Sequence, residues 1–128
     1  MTTYLGVDAG EHNYGIAVAN GPLATPLPAI HSDNISQITN QLIKLASQYS
    51  ASVIILGLPS GKISSLVQKL KTQLQNSSQL KVILHSESLS TYDAINKLRE
   101  IGAKRKKLQN DHSYAACLIL EDYLESIS

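Results

Sequence analysis

Apolar positions along this chain recur with two periods, and the points where one gives way to the other divide it into elements. An apolar run from Thr3 to Asp8 ends in an aspartate, and a second from Tyr14 to Asn20 follows almost at once. So short a connection predicts an antiparallel hairpin. Asn20-Gly21-Pro22 predicts a turn, and Leu23 to Ile30 a short third strand. Pro26 and Pro28 cannot donate to a ladder, which puts that strand at an edge. Ser32, Asp33 and Asn34 are each competent N-caps for a helix over 35–49. Ile35, Ile38, Leu42, Leu45 and Tyr49 form its expected buried stripe.

Residues 52–58 are continuously apolar and rich in β-branched side chains, as in a strand covered on both faces. Leu58-Pro59-Ser60-Gly61 ends it. A helix follows with Ile63, Leu66, Val67, Leu70 and Leu74 on one face, closed by Asn76-Ser77-Ser78. Leu80 to Leu84 predicts a fifth strand. Ser90 and Asp93 form a capping box that opens a third helix, with Ala94, Ile95, Leu98 and Ile101 inward and Gly102 at its C-terminal cap. A last helix covers 110–126. The order βββαβαβαα joins a meander to strands that alternate with helices. Crossover helices make strands four and five parallel to strand one, in a mixed sheet with helices on both faces.

At 128 residues and 43% hydrophobic content, the expectation is one soluble globular domain over residues 1–128. The longest apolar runs are far too short to span a bilayer, and the N-terminus enters a strand too soon for a signal peptide. A single cysteine, Cys117, rules out an internal disulfide framework and suits a reducing cytoplasm. It lies in the apolar stretch 115–120 and reads as core. A formal charge of +1 announces no nucleic-acid binder, so such a role would rest on the one local cluster, Lys104-Arg105-Lys106-Lys107.

Three carboxylates are poorly placed for structure alone. Asp8 ends a strand suited to burial, where a carboxylate is costly unless paired or ligating a cation. Glu87 follows the fifth strand, and Asp111 lies in the first turn of the last helix. Individually, Asp111 also reads as a helix cap and Glu87 as a loop carboxylate. Together they stand at element ends that such a sheet brings to one edge, where ligands bind. Converging carboxylates are what a two-cation phosphoryl-transfer site requires, with Mg²⁺ or Mn²⁺ as the hard ions that prefer oxygen. His12, His31, His85 and His112 have no zinc-like spacing. The interval from Gly10 to Gly15 lacks the Lys-Ser/Thr of a P-loop.

Asp8-Ala9-Gly10 with Tyr14-Gly15-Ile16-Ala17-Val18-Ala19 resembles the opening D-x-G-x-x-x-x-G-[VI]-A of the YqgF family. These RNase H-like proteins are assigned to pre-16S rRNA processing or Holliday junction resolution. Ile54-Ile55-Leu56-Gly57-Leu58-Pro59 resembles the family's V-V-G-L-P, and residues 86–94 its D-E-R-L-T-T-x-E-A. Residues 106–124 are similar to its K-x-x-x-D-x-x-A-A-x-x-I-L-x-x-Y-L ending. The resemblance implies an RNase H-like sheet ordered 3-2-1-4-5 and a catalytic, metal-binding trio that maps to Asp8, Glu87 and Asp111. It also implies a nuclease acting on structured RNA or branched DNA, as a monomer or homodimer. Lys104, Arg105, Lys106 and Lys107 would hold backbone phosphates. The chain departs from the family where Glu11-His12-Asn13 replaces basic residues and Ser88 an arginine. Two other readings follow: a catalytically weakened nucleic-acid binder of the same fold, or a nucleotide-binding protein that uses the D-x-G turn.

Overall fold

The computed structural model describes residues 2–58, 62–86 and 111–128, with side chains at all of these except Lys62, Asp111 and His112. Five strands, β1 (Tyr4–Ala9), β2 (Asn13–Ala19), β3 (Thr25–His31), β4 (Val53–Leu58) and β5 (Lys81–Ser86), form one sheet in the order β3-β2-β1-β4-β5. β1 pairs antiparallel with β2 and parallel with β4, β3 runs antiparallel to β2, and β5 parallel to β4. The helices are α1 (Ile35–Tyr49), α2 (Lys62–Ser77) and α3 (Asp111–Ser126). The expected order and strand directions are thus realised. The helix anticipated between Ser90 and Gly102 lies outside the described residues.

Side-chain alternation along the central strands feeds two cores. Leu5, Val7, Ile16, Ile54 and Leu56 pack on one face with Ile38 and Leu42 of α1 and Val67, Leu70 and Leu74 of α2. Ala17, Ala19, Val53 and Ile55 pack on the other with Ala115, Ala116, Ile119 and Leu120 of α3. Burial on both faces explains why 53–57 reads as a continuous apolar run. Cys117 is buried in the second core, where desolvation pushes its thiol up to about 12, so it is inert packing.

Several boundaries move for local reasons. The third strand starts at Thr25, because Gly21-Pro22 turns the chain and the Ala24 amide donates to Glu121 Oε2 at 2.8 Å rather than to a ladder. Leu23 is consequently 78% exposed. β5 continues past Leu84 because β4 offers Gly57 and Leu58 as partners for His85 and Ser86. In α1 the buried stripe turns toward Thr39 and Ala46, and Tyr49 is left 38% exposed. The Thr39 hydroxyl donates to Ile35 O at 2.8 Å, so the polar group is satisfied in place. Of the three candidate caps the chain uses Asn34, whose side chain accepts from the Gln37 amide at 3.2 Å.

Gly6 decides how closely α3 approaches the sheet. A Cβ there would lie 2.8 Å from Leu120 Cβ and 3.1 Å from the Ala116 carbonyl oxygen. Gly6→Ala should therefore lower stability by about 1–3 kcal/mol through overpacking, seen as a lower urea midpoint. A Cβ at Gly21 meets nothing within 4 Å. Gly21→Ala should accordingly stay within about 0.5 kcal/mol of the parent.

Candidate metal and nucleic-acid site

Asp8 is the penultimate residue of β1 and only 7% exposed. By strand parity it shares a face with Tyr4 and Gly6, the face that α3 covers. Tyr4 contacts the ring of Tyr123 at 6.1 Å between centroids, and Gly6 faces Ala116 and Leu120. Helix numbers fall as strand numbers rise, so α3 runs antiparallel to β1. Two strand residues advance about 6.6 Å, the rise of four or five helical residues. Asp8 is thereby level with the first turn of α3, which opens on Asp111.

A second set of contacts places that turn independently. The Ser113 hydroxyl donates to the Leu27 carbonyl at 2.6 Å and accepts from the Ile16 amide at 3.1 Å. Ile16 adjoins Gly15, the cross-strand partner of Asp8. Gly15 has no side chain to fill the face beside the carboxylate. The tight turn between β1 and β2 is closed by the Gly10 amide donating to Asn13 O at 2.9 Å. A Cβ at Gly10 would stand 2.8 Å from that same oxygen, so only glycine fits.

The fold brings Asp8 and the backbone of Asp111 to one sheet end. Glu87 and the run Lys104-Arg105-Lys106-Lys107 lie outside the described residues, as does the Asp111 side chain. β5 ends at Ser86, beside Leu58 at the same edge toward which β1 runs. The near-buried Asp8 carboxylate beside a helix that begins with a second carboxylate is a hard oxygen set, the chemistry suited to Mg²⁺ or Mn²⁺. Among the described residues no three His, Cys, Asp or Glu side chains cluster as a metal site. A groove of about 740 Å³ lined by Tyr4, Leu23, Leu124 and Ile127 lies at the opposite end of β1 and is unrelated to this edge.

The histidines whose side chains are described, His12, His31 and His85, are committed elsewhere. His85 Nε2 meets Asp122 Oδ2 at 2.7 Å, and its ring stands edge-on to Tyr123. His31 Nδ1 bonds Asn13 Oδ1. His12 Nδ1 bonds Asp33 Oδ1, while its Nε2 is 3.9 Å from Glu11 Oε2. One imidazole between two carboxylates supplies no net positive charge for a phosphate. The contact that sequence reasoning missed is Ser113, whose partners lie 86 and 97 residues away.

The hydrogen bond that His12 donates to Asp33, then the Asp33 charge, raises the His12 pKa above the ordinary 6.5. An NMR titration should place the His12 midpoint above 6.5, and Asp33→Asn should lower it. Protonated His12 is favoured in the folded state, so any contribution of the pair is present in acid and fades as pH rises through the folded midpoint.

The model of the RuvX family, described as Holliday junction resolvase, matches residues 2–126. A relative from Rickettsia canadensis (strain McKiel), named "Putative pre-16S rRNA nuclease", is 33% identical over 98% of this chain and 88% of its own length. A relative of the same name from Rickettsia bellii (strain OSU 85-389) is 36% identical over 97% of this chain and 86% of its own. Among solved structures, T. thermophilus RuvC in complex with Holliday junction substrate superposes with a TM-score of 0.64 at 10% identity, covering 100% of this chain and 97% of that one. The fowlpox virus Holliday junction resolvase gives 0.57 at 20% identity, over 99% and 100%. These two share the fold, which is RNase H-like. With a family model spanning nearly the whole sequence and relatives at a third identity, the chain belongs to the RuvX family of Holliday junction resolvases.

Proposed function

We propose that this chain is a divalent-cation-dependent endonuclease that hydrolyses phosphodiester bonds in structured nucleic acid, with precursor 16S rRNA as its substrate. One observation carries the reading: the near-buried Asp8 carboxylate stands level with the start of the helix that opens on Asp111. Asp8, Glu87 and Asp111 would hold Mg²⁺ or Mn²⁺. Such ions supply Lewis-acid stabilisation of the charge that develops on the attacked phosphate and on the leaving oxygen, and they activate water. Asp8 contributes a fixed charge at a site of reduced screening, where its attraction for a cation is strong. The paired β1 backbone holds it in place, so little reorganisation is left for the moment of reaction.

Lys104, Arg105, Lys106 and Lys107 would grip backbone phosphates. With acidic Glu11 near His12, and Ser88 in place of an arginine, this run is the one contiguous cluster of positive charge in the sequence. RNA is favoured over branched DNA by the relatives, since those at a third identity carry the rRNA name. The junction-resolving structures match in fold alone. In this reading residues 1–128 act as one cytoplasmic nuclease domain. Among the described residues no helix is long and apolar enough to cross a membrane.

Asp8→Asn keeps the side-chain volume and removes the anionic ligand. Cleavage of precursor 16S rRNA in Mg²⁺ or Mn²⁺ should fall by at least about 100-fold, the scale of losing a main electrostatic group, with the far-UV circular dichroism unchanged. Full activity in the Asn variant, or equal cleavage in EDTA, would reject the mechanism. Cleavage of four-way junction DNA but not RNA would reassign the substrate. Binding without cleavage by the parent would favour the weakened-binder reading, which the acidic Glu11–His12–Asp33 cluster supports.

Neutralising Lys104, Arg105, Lys106 and Lys107 together tests the phosphate grip. The log–log salt dependence of duplex binding should become shallower by up to about three to four units, at about 0.9 per lost contact on B-DNA. An unchanged slope would make the run a solvated loop.

A further inference from the structure

We infer that Ser113 is a positioning residue for the cation site: its hydroxyl, lodged between β2 and β3, fixes the first turn of α3 and so the place of Asp111 relative to Asp8. The inference rests on the nuclease reading above. Ser113 is fully buried, and its single hydroxyl is used in both directions, donating to Leu27 O and accepting from Ile16 N. These two backbone groups belong to one cross-strand pair, Ile16↔Leu27, immediately beside the register shift between Tyr14 and Ile16. The hydroxyl thus satisfies two polar groups where the ladder is irregular, and leaving either unmet while buried is costly.

The location sets this serine apart from an ordinary buried polar residue. Along the chain it follows Asp111 by two positions. Across the sheet its amide partner, Ile16, adjoins the residue paired with Asp8. The helix contacts the sheet nearby through Ala115, Ala116 and Gly6, small groups that permit close approach but present a smooth surface. Dispersion between such groups has little directionality, whereas a hydrogen bond specifies position. Helix ends are also where opening begins, since their first amides lack partners within the helix. Ser113 pins the turn at its vulnerable end, and it binds α3 to the hairpin that carries the D-x-G turn.

Mn²⁺ binding, read through paramagnetic broadening of the Gly10 and Gly15 amides, tests this without relying on activity. Ser113→Ala removes the bridge, and Ser113→Cys keeps the side-chain shape with a somewhat larger atom that is a weaker donor and acceptor. Thr39→Val serves as the control, since it deletes an equally buried hydroxyl from α1 on the other face. All are compared at temperatures where melting curves show each variant folded. The apparent Kd for Mn²⁺ should weaken by roughly 10- to 100-fold in both Ser113 variants, on the scale of losing an outer partner of a metal ligand, and stay within about twofold in Thr39→Val. In cleavage assays the loss should fall on kcat, with KM for the nucleic acid little changed.

If Ser113→Cys alone folds, its Kd decides. Parent-like Mn²⁺ affinity in the Ser113 variants, or an equal loss in Thr39→Val, overturns the inference. If the parent binds Mn²⁺ at these amides yet cuts neither RNA nor DNA, the nuclease reading fails, and the variant Kd values still judge Ser113. If the parent shows no broadening there, no cation site exists to be positioned and the inference falls.

Discussion

The separation between β1 and α3 governs the candidate site, and Gly6 sets it. Leu120 and the Ala116 carbonyl occupy the space that any larger residue would claim. With the helix seated this closely, the Tyr4–Tyr123 contact fixes one end of the pair and the Ser113 hydroxyl the other. Asp8 and the start of α3 then come level as a geometric result. A helix displaced outward by a methyl group would loosen these relations together, because packed interiors have little slack to absorb it.

The opposite face has a different task. α1 and α2 cover it with branched apolar side chains, and Thr39, the one buried polar side chain there among the described residues, donates to Ile35 O in its own helix, with Gln73 Oε1 3.2 Å away. This layer buries the sheet and carries no acidic residue of the candidate site. The division gives the central strand a rigid apolar back, so a charged residue at the strand end, on the face toward α3, can be tolerated without unravelling the core.

Much of this architecture was legible in the sequence because it follows from short-range periodicity. The hairpin, the doubly covered strand at 53–58 and the amphipathic α1 all declare themselves within a dozen residues. What escaped depends on distant partners. Leu23 reads as strand until Glu121 is known to take the next amide, and Tyr49 reads as core until the helix axis is placed. Ser113 has no local signature, since a serine in the first helical turn suggests nothing beyond a polar surface. At the site, Asp8 was recognisable as a costly carboxylate in an apolar strand, and Asp111 through its place in the motif. That these two element ends share one sheet edge was anticipated from the order of elements; the level at which α3 lies along β1 depends on distant contacts at Gly6, Tyr4 and Ser113 that no local pattern encodes.

The two acidic positions belong to the first strand and the last helix, with β2 through β5 built between them. The proposed catalytic centre therefore has no local precursor: a partly folded chain with a finished hairpin holds one carboxylate but has nowhere to seat a cation. Closing so long a loop is the entropically demanding step of folding, and competence to cut arrives only with it. On the proposed site, topology alone makes competence to cut a property of the whole fold: it is absent from any fragment that lacks either the first strand or the last helix.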